Sequence, residues 1–472
     1  MDVEVRELSI KEKAGYGLGD FASVLFWQMI TAYLLFFYTD VFGITAAAAG
    51  TMILVSRLWD GINDPMMGMI ADRTETRWGK FRPYLIWMSM PLAIIAVLAF
   101  TTPDFGPQGK LIYAYITFIL FMMAYTAINI PYSALMGVIS SDPIERTSVA
   151  SFKYAFAFAA GTIVSFFALP MAKKLGNGDL APGFQRTMMI FGAVAVILFF
   201  ITFLATKERV HPPTKEKTPI SQDLKDLFAN KPWVILLVTT MMMILCFATR
   251  ISITPHYFKY YVGTQNVNLF GKVHTFDFVA LTSWFNGINQ ALSVLAMLST
   301  KLIARVLGKK KAFMTLFLIT IITMALYLFL KPEQVIMMFV LQMIGSLSGA
   351  PLTPLIWGMY ADTADHSEWK TGRRATGLVF SASTMSQKFG WAVGSAFAAW
   401  LLSLVGFQAN VAPTLGVLNG LKALIGIVPA IAGGLAIVAL TFYKLDEKTM
   451  KKVEKELNQR RKESGENAAA TA

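Results

Sequence analysis

Long apolar stretches alternate with short polar ones along nearly the whole 472-residue chain. The first stretch, 16–38, has Asp20 as its only charged residue, and it exceeds the roughly 20 residues that cross a bilayer as a helix. Comparable stretches follow at 44–70, 84–101, 111–138, 154–172, 187–205, 233–261, 278–304, 312–330, 335–360, 376–405 and 422–443. The pattern predicts an all-α membrane protein with about twelve transmembrane helices.

The composition agrees with a membrane protein. Hydrophobic residues make up 55% of the chain and charged residues 15%, and the mean hydropathy is +0.53. A soluble domain carries about 25% charged residues, so this is not the composition of an ordinary soluble domain. The single cysteine, Cys246, excludes an intrachain disulfide framework and cysteine-based zinc sites.

The net charge of +13 would also suit a nucleic-acid-binding protein. The basic residues, however, concentrate in alternate loops, after the second, fourth, sixth, eighth and tenth spans. Lysine and arginine accumulate in the cytoplasmic loops of membrane proteins. We therefore expect a multi-pass protein of the plasma (inner) membrane with both termini in the cytoplasm and no nucleic-acid partner.

One long polar segment, 206–232, divides the chain into two sets of six spans. Its prolines and charged residues are typical of a linker. We predict an N-terminal bundle over 1–205, a cytoplasmic linker over 206–232 and a C-terminal bundle over 233–443, an arrangement typical of major facilitator carriers. The polar segment 444–472 is predicted to be a disordered cytoplasmic tail.

Two aspartates, Asp60 and Asp64, lie in the middle of the second apolar span. An ionised carboxylate at bilayer depth costs about 2.5–3.5 kcal/mol, and residues four apart share one helical face. Two like charges this close need a positive partner, which a bound cation would supply. The pair therefore predicts an ion or proton site, and the alternative is a purely structural pairing with Arg57 and Lys388.

The loop after the second span carries the pattern G-x-x-x-D-R-x-x-x-R-x-G-K, beginning at Gly68. Gly68 is expected to permit close approach of a neighbouring helix. Asp72, Arg73 and Arg77 are predicted to form ion pairs that hold one conformation closed and break in the other. Arg373, in the corresponding loop of the second half, is predicted to join them. The pattern resembles the cytoplasmic signature of the major facilitator superfamily, and the alternative is a basic loop that only sets topology.

Several longer segments resemble the glycoside–pentoside–hexuronide cation symporters, the family that contains the melibiose carrier. They are RLWDGINDPMMGMIADRTETRWGKFRPY at 57–84, YGLGDF at 16–21, FFYTDVFG at 36–43, AYTAINIPYSAL at 124–135 and YADTADHSEWKTGRR at 360–374. The resemblance runs from the first span to the eleventh. It implies a major facilitator fold, and sugar uptake coupled to Na⁺ or a proton by alternating access, in a carrier that is not an enzyme.

The same resemblance places the coupling cation in the second span. Asp60 and Asp64 match the family's two second-helix acids, which makes them the candidate Na⁺ ligands. Asn63 matches the amide between these acids, and Thr126 matches a fourth-helix hydroxyl. Oxygen ligands of this kind suit hard cations. The coupling ion is the only cofactor that we expect.

The sugar site departs from that of the melibiose carrier, whose acids on the first and fourth helices match Val24 and Asn129. Asp20, one turn before Val24, and Asn129 are predicted to contact sugar hydroxyls. Lys153 lies near a fifth-helix arginine of the family and is a further substrate candidate. Three more candidates come from the eleventh span, namely Ser383, Thr384 and Lys388, of which the last matches a lysine of the family.

Arg250 lies deep in the seventh span. Its structural interpretation is a partner for Asp20 or another acid, and its functional interpretation is a fork for a substrate carboxylate or sulfonate. Stacking on a sugar face is one role for the tryptophans of the spans, and packing or lipid contact is the commoner one. The tryptophans considered for it are Trp59, Trp284 and Trp357.

Two other classes of function stay open. One is a major facilitator carrier for a non-sugar amphipathic solute, which a large and mostly apolar central pocket would favour. The other is a polytopic membrane enzyme or sensor, although the sequence has no nucleotide-binding loop, metal triad or nucleophile–base arrangement. We expect the partners to be a small sugar, the coupling cation and lipid, and the chain to act as a monomer.

Overall fold

The computed structural model describes residues 8–140, 143–209, 230–269, 271–371, 376–445, 449–453, 455–457 and 459. Within them, twelve helical segments follow one another, and each predicted apolar span overlaps one of them. The first six are α1 (Ile10–Phe36, continued by a π-helical turn Phe37–Phe42), α2 (Ala46–Arg73), α3 (Pro83–Trp87 and Ser89–Ala99), α4 (Pro107–Val138), α5 (Pro143–Leu175) and α6 (Leu180–Ala205). The second six are α7 (Lys231–His256, continued by a π-helical turn Tyr257–Val262), α8 (Phe278–Leu307), α9 (Lys309–Ala325, continued by a 3-10 turn Leu326–Phe329), α10 (Val335–Gly349 and Leu352–Thr371), α11 (Thr376–Leu404) and α12 (Leu415–Ile425 and Ile427–Thr441).

Nine of these segments, within the part of the chain that the structure describes, are long and apolar enough to cross a bilayer. α2 is not among the nine, because Arg57, Asp60 and Asp64 lower the hydropathy of its middle. α10 is interrupted at Pro351, which has no backbone N–H to continue a helix. α12 is interrupted at Gly426, where an added Cβ would lie 2.9 Å from the carbonyl oxygen of Met324 in α9. The chain is therefore a multi-pass membrane protein.

The helices form two halves, α1–α6 and α7–α12. The halves meet along three helix pairs, α1 with α7, α2 with α11 and α5 with α8. An added Cβ at Gly50 of α2 would lie 2.8 Å from Ala399 Cβ of α11, so small residues let these two backbones approach closely. The predicted ends of the two bundles at 205 and 233 coincide with the end of α6 and the start of α7 to within two residues.

The two faces of the helical layer differ in how the halves contact each other. We call the face where α1 begins and α12 ends the terminal face, and the other the opposite face. At the opposite face, Lys259 donates a hydrogen bond to Asp40 at 2.7 Å, and Thr39 lies 2.9 Å from His256 Nε2. At the terminal face, each ion pair between described residues joins members of the same half. The polar closure between the halves therefore lies at the opposite face.

A β-hairpin that the sequence did not predict joins α7 to α8. Its strands are β1 (Gln265–Leu269) and β2 (Lys272–Phe276), paired antiparallel with Gln265 opposite Phe276. Gly271, next to the turn, has a φ of +82°, which glycine adopts without strain.

Part of the predicted disordered tail is helical, at 449–453, 455–457 and 459. Val453 and Leu457 are buried there, and Trp369 of α10 donates a hydrogen bond to Glu456 at 2.6 Å. Two apolar residues four apart lie on one helical face. The polar composition of the tail conceals this spacing, which is why the prediction of disorder was wrong for these residues.

Candidate functional site

The middle of α2 holds a buried acid with an incomplete ion pair. Arg57 Nη1 is 3.7 Å from Asp60 Oδ2, and the two residues are only 8% and 5% exposed. This separation exceeds hydrogen-bond reach. The other oxygen of Asp60, Oδ1, has no hydrogen-bond partner among the described residues. Asp60 therefore keeps most of its capacity to accept hydrogen bonds or to coordinate a cation.

Asp64 joins three helices. Thr126 of α4 donates a hydrogen bond to Asp64 Oδ1 at 2.9 Å, and Lys388 of α11 forms an ion pair with Asp64 Oδ2. Since α2 and α11 belong to different halves, this ion pair crosses the interface. Neighbouring Asn63 is half-buried, and its amide nitrogen has no partner in the part of the chain that the structure describes. Lys388 thus contacts the acid pair, as the alternative of a structural pairing with Arg57 and Lys388 expected, and it does not line the central cavity as a substrate residue.

Trp27 of α1 connects this acid cluster to the interior of the protein. The guanidinium carbon of Arg57 lies 4.4 Å from the centroid of the Trp27 ring. The Tyr125 ring of α4 stacks with Trp27 at a centroid distance of 5.6 Å. A guanidinium group is attracted to the face of an aromatic ring. Arg57 is therefore shared between an aromatic face and the carboxylate of Asp60.

A cavity of about 290 Å³ lies between the two halves. Its volume is near the lower limit of small-molecule sites, which span about 300–1,000 Å³. Aromatic rings from both halves contribute to its wall, namely Trp27, Phe158, Phe247, Phe285 and Trp391. The main polar side chains of the wall are Gln28, Arg250, Asn289, Gln290, Gln342 and Ser346. The cavity therefore combines flat apolar surfaces with hydrogen-bonding groups.

Arg250 anchors a polar network on the side of the cavity that α7–α12 form. Its Nη1 donates to the carbonyl oxygen of Ile425 at 2.6 Å, and its Nη2 donates to Gln342 Oε1 at 2.9 Å. Gln342 and Ser346 both donate to Asn289 Oδ1, at 2.9 and 2.7 Å. The network fixes the side chains of α7, α8 and α10 relative to one another.

No carboxylate forms an ion pair with Arg250 among the described residues. Asp20, its predicted structural partner, pairs instead with Lys153, with 3.8 Å between Lys153 Nζ and Asp20 Oδ1. The guanidinium carbon of Arg250 lies 4.3 Å from the centroid of the Tyr327 ring. Carbonyl, amide and aromatic groups therefore surround this positive charge, and the structural interpretation of Arg250 as the partner of Asp20 does not apply in this structure.

Of the predicted substrate residues, Arg250 alone lines the central cavity. Asn129 Nδ2 donates to the carbonyl oxygen of Tyr125 in its own helix at 3.1 Å. Ser383 is fully buried and accepts a hydrogen bond from Trp233 Nε1 at 3.2 Å. Thr384 is exposed. The resemblance pointed to Asn129, and the position one turn before Lys388 pointed to Ser383 and Thr384, whereas other helical turns line the cavity in this chain.

The cavity residues that the sequence analysis missed share a visible pattern. Four polar residues of α8 lie at positions i, i+3, i+4 and i+7, and all of them line the cavity, namely Asn286, Asn289, Gln290 and Ser293. A polar stripe on an otherwise apolar transmembrane helix marks an interior surface. The tryptophans also differ from those considered, since Trp59 and Trp284 are exposed by 36% and 52%, and Trp27 and Trp391 face the cavity instead.

The predicted gating residues lie at the terminal face. Asp72, Arg73 and Arg77 are exposed, and Arg373 lies outside the described residues, so the ion-pair network stays a prediction. An added Cβ at Gly68 would have Ile130 Cγ2 at 4.0 Å as its nearest neighbour. Gly68 is therefore not needed for close helix approach in this conformation, contrary to the expectation.

A second, larger hollow of about 480 Å³ opens at the opposite face between the ends of α5 and α8. Lys173 and Asp277 form an ion pair across it. Its described lining contains no aromatic ring and no residue of the α2 acid pair. We therefore consider the central cavity to be the candidate binding site.

Two helical halves with a cavity and charged residues at their interface are the arrangement expected of a membrane transporter. The family model described as "MFS/sugar transport protein" matches residues 15–447. The chain belongs to this family, and the protein is accordingly a transporter and not an enzyme.

Individual relatives match over nearly their full length. The chain is 37% identical to "Inner membrane symporter YicJ" of Escherichia coli (strain K12), covering 96% of this chain and 95% of the relative. It is 36% identical to "Putative glycoside/cation symporter YagG" of the same organism, covering 99% of each. It is also 36% identical to the "Isoprimeverose transporter" of Lactiplantibacillus pentosus, covering 92% and 89%.

Solved structures share the fold at low sequence identity. The inward-facing, occupied crystal structure of a bacterial homologue of the human lysosomal transporter Spinster has a TM-score of 0.65 at 12% identity, covering 92% of this chain and 95% of that one. A bacterial homologue of the human drug peptide transporters has a TM-score of 0.68 at 10% identity, covering 94% and 99%. These likenesses establish the all-α major facilitator fold.

Proposed function

We propose that this transporter carries a small glycoside together with a coupling cation, by alternating access. The observation that carries the proposal is the ion pair between Asp64 and Lys388, which joins the two halves at a buried acid pair. Intramembrane acids of this kind mark ion pathways and proton relays. A cation bound at Asp64 would compete with Lys388, so its binding would change a contact that links the halves.

The cation site consists of Asp60, Asp64, Asn63 and Thr126. All four supply side-chain oxygen, which alkali cations prefer to nitrogen or sulfur ligands, and either carboxylate can instead take up a proton. Asp60 Oδ1 has no hydrogen-bond partner among the described residues, and Thr126 Oγ1 already contacts Asp64. This donor set suits either Na⁺ or a proton shared with water.

The sugar site is the central cavity. A sugar ring has apolar C–H faces and polar edges, and Trp27, Phe158 and Trp391 offer aromatic surfaces for the faces. Amide and hydroxyl groups of α8 and α10 can donate to and accept from sugar hydroxyls. The cavity is small, and it offers hydrogen-bonding groups beside its apolar surfaces, so it suits a compact sugar better than a large amphipathic solute. The whole site lies within one chain, which supports a functional monomer.

The names of the relatives favour a neutral glycoside or pentoside, since one is a putative glycoside/cation symporter and another transports isoprimeverose. A second candidate, an acidic sugar, is favoured by Arg250, whose charge has no carboxylate partner among the described residues. A relative named as a glucuronide carrier protein homolog is 29% identical to this chain.

The terminal face is the cytoplasmic face in this proposal, because the basic loops lie there. The contacts of Asp40 with Lys259 and His256 then close the outer side, so the structure corresponds to an inward-facing state.

The proposal is tested by uptake into proteoliposomes of the purified full-length protein. Isoprimeverose and methyl glucuronide are compared under an inward Na⁺ gradient, an inward proton gradient and no gradient. Gradient-driven accumulation of either sugar supports the proposal, and its absence for a wider panel of glycosides would contradict it. Wild type and Arg250→Gln separate the two candidates, because an acidic substrate should lose roughly tenfold or more of its affinity with the charge, at about 1.5–3 kcal/mol per charged hydrogen bond.

A further inference from the structure

Trp27 belongs to two sites at once. Its side chain lines the central cavity, and the guanidinium carbon of Arg57 packs over its ring at 4.4 Å from the centroid. Arg57 in turn stands 3.7 Å from Asp60 Oδ2. One aromatic side chain therefore separates the cavity from the positive group beside the acid pair.

The position of Arg57 decides how much of Asp60 is available. Arg57 and Asp60 are both buried, with 8% and 5% exposed, so each change in their separation alters a strong interaction in a poorly screened setting. A guanidinium that closed onto Asp60 would form the bidentate pair that arginine prefers with carboxylates. The attraction of the indole ring opposes this closure, and the observed separation lies beyond hydrogen-bond reach.

We infer that Trp27 is a positioning residue that couples the two binding events: a sugar packed on Trp27 holds the ring, and with it Arg57, away from Asp60, so that the carboxylate stays open to the cation. The inference rests on the proposed function. Coupling between two ligands is reciprocal, so the cation must raise sugar affinity by the same factor as the sugar raises cation affinity.

Phe158 provides a matched control for Trp27. It is an aromatic residue of the N-terminal half that lines the same cavity. No described contact joins it to Arg57, Asp60 or Asp64. Its loss should weaken sugar binding without affecting the acid pair.

The test measures the dissociation constant of isoprimeverose for the purified full-length protein, with saturating NaCl and with choline chloride at the same ionic strength. A pH series replaces NaCl if protons are the coupling ion. The ratio of the two constants is the coupling factor, expected at roughly 5- to 150-fold for wild type. Trp27→Leu should bring this factor close to unity, and Trp27→Phe should retain part of it. Phe158→Leu should weaken sugar binding and leave the factor unchanged.

A second readout needs no sugar. Cation binding is followed by the cation-dependent rise in melting temperature, for wild type, Trp27→Leu, Arg57→Gln and the double variant. Trp27→Leu should weaken cation binding roughly fivefold, because Arg57 then closes onto Asp60. In the Arg57→Gln background the same change should have no further effect, which a general loss of structure would not produce.

A wild-type coupling factor in Trp27→Leu, or equal effects of Trp27→Leu with and without Arg57, would overturn the inference. A wild-type protein whose sugar binding ignores both Na⁺ and pH would contradict the proposed symport itself, and the inference with it. That failure is visible before any substitution is made, so the two failures are distinguishable.

Discussion

Lys388 of α11 forms an ion pair with Asp64 of α2, and this contact joins the two halves of the transporter. With Arg57 beside Asp60, the cluster holds two acids and two bases, of which Arg57 and Asp60 are buried and Asp64 and Lys388 are partly exposed. The cluster is therefore close to neutral without a cation, a condition that lets an unloaded carrier change conformation at low electrostatic cost. A bound cation adds one positive charge to the cluster. Because it would compete with Lys388 for Asp64, its binding would weaken the contact between the two halves.

Lys388→Gln should raise the apparent cation affinity. The lysine competes with the cation for Asp64, and because its side chain is 43% exposed, the pair contributes about 1 kcal/mol, which corresponds to roughly fivefold. Net uptake should fall, because the unloaded carrier then keeps two acids against one base, while exchange between loaded states persists. Cation-dependent melting, net uptake and counterflow are measured, with exposed Lys301→Gln as control. An unchanged cation affinity in Lys388→Gln would remove the lysine from the cation cycle.

Thr126→Val should weaken cation binding by about 1 kcal/mol, the typical contribution of one hydrogen-bonding group. Its hydroxyl contacts Asp64 at 2.9 Å, and valine has nearly the same shape without the oxygen. Thr117→Val in the same helix is the matched control, because the Thr117 hydroxyl donates to the carbonyl oxygens of Tyr113 and Ala114 and has no described contact with Asp64. Equal cation midpoints for the two variants would show that Thr126 is not a ligand.

Asp40→Asn should open the opposite face. Asp40 accepts hydrogen bonds from Lys259 at 2.7 Å and lies 3.2 Å from His256 Nε2, and both partners belong to the other half. Loss of these charged contacts removes about 1.5–3 kcal/mol from the closed arrangement. In a Cys246→Ala background, labelling of Thr254→Cys in the cavity wall by an impermeant reagent from the opposite face should become faster.

The control for that measurement is Asp104→Asn, an exposed acid at the same face. Labelling rates in Asp40→Asn that match those of Asp104→Asn would mean that the Asp40 contacts do not hold the face closed.

Asp72→Ala should increase access to the cavity from the terminal face. The proposed ion pairs of Asp72, Arg73 and Arg77 form only when that face closes, so their loss favours the present arrangement. Each exposed pair contributes about 0–1 kcal/mol, so the expected increase in labelling of Ser293→Cys is modest. Glu75→Ala, an exposed acid of the same loop, is the control, and identical labelling in the two variants would argue against a gate at Asp72.

The fold was predictable because it depends on long runs of apolar residues that recur in every span. Each span carries its own run of apolar residues, and the linker begins where α6 ends. The exposed and buried helices of a membrane protein differ little in hydropathy, so the sequence fixes neither the tilt nor the neighbours of a span. The hairpin β1–β2 and the helical turn around Val453 are short and lie in polar segments. Their apolar residues are too few to form a recognisable periodic pattern.

The acid pair was predictable, whereas the polar stripe of α8 was the main sign of the cavity in the sequence. Asp60 and Asp64 stand out because charge inside an apolar span is costly. The sequence named Lys388 as a possible partner of the acid pair, and the packing of α11 against α2 shows that it contacts Asp64. Arg250 was recognised as unusual, yet its partners Gln342 and the Ile425 carbonyl are uncharged and come from distant spans. Uncharged partners of this kind cannot be found by searching a sequence for a residue of opposite charge.

The central claim is that sugar movement is driven by a cation bound at the α2 acids, and sugar accumulation by Asp64→Asn tests it most directly. Proteoliposomes receive an inward Na⁺ or proton gradient, and the sugar concentration inside is compared with that outside for wild type, Asp60→Asn, Asp64→Asn and the control Asp104→Asn. We predict that wild type and Asp104→Asn accumulate sugar, while Asp64→Asn only equilibrates it and still exchanges labelled for unlabelled sugar. Full gradient-driven accumulation by both Asp60→Asn and Asp64→Asn would contradict the account.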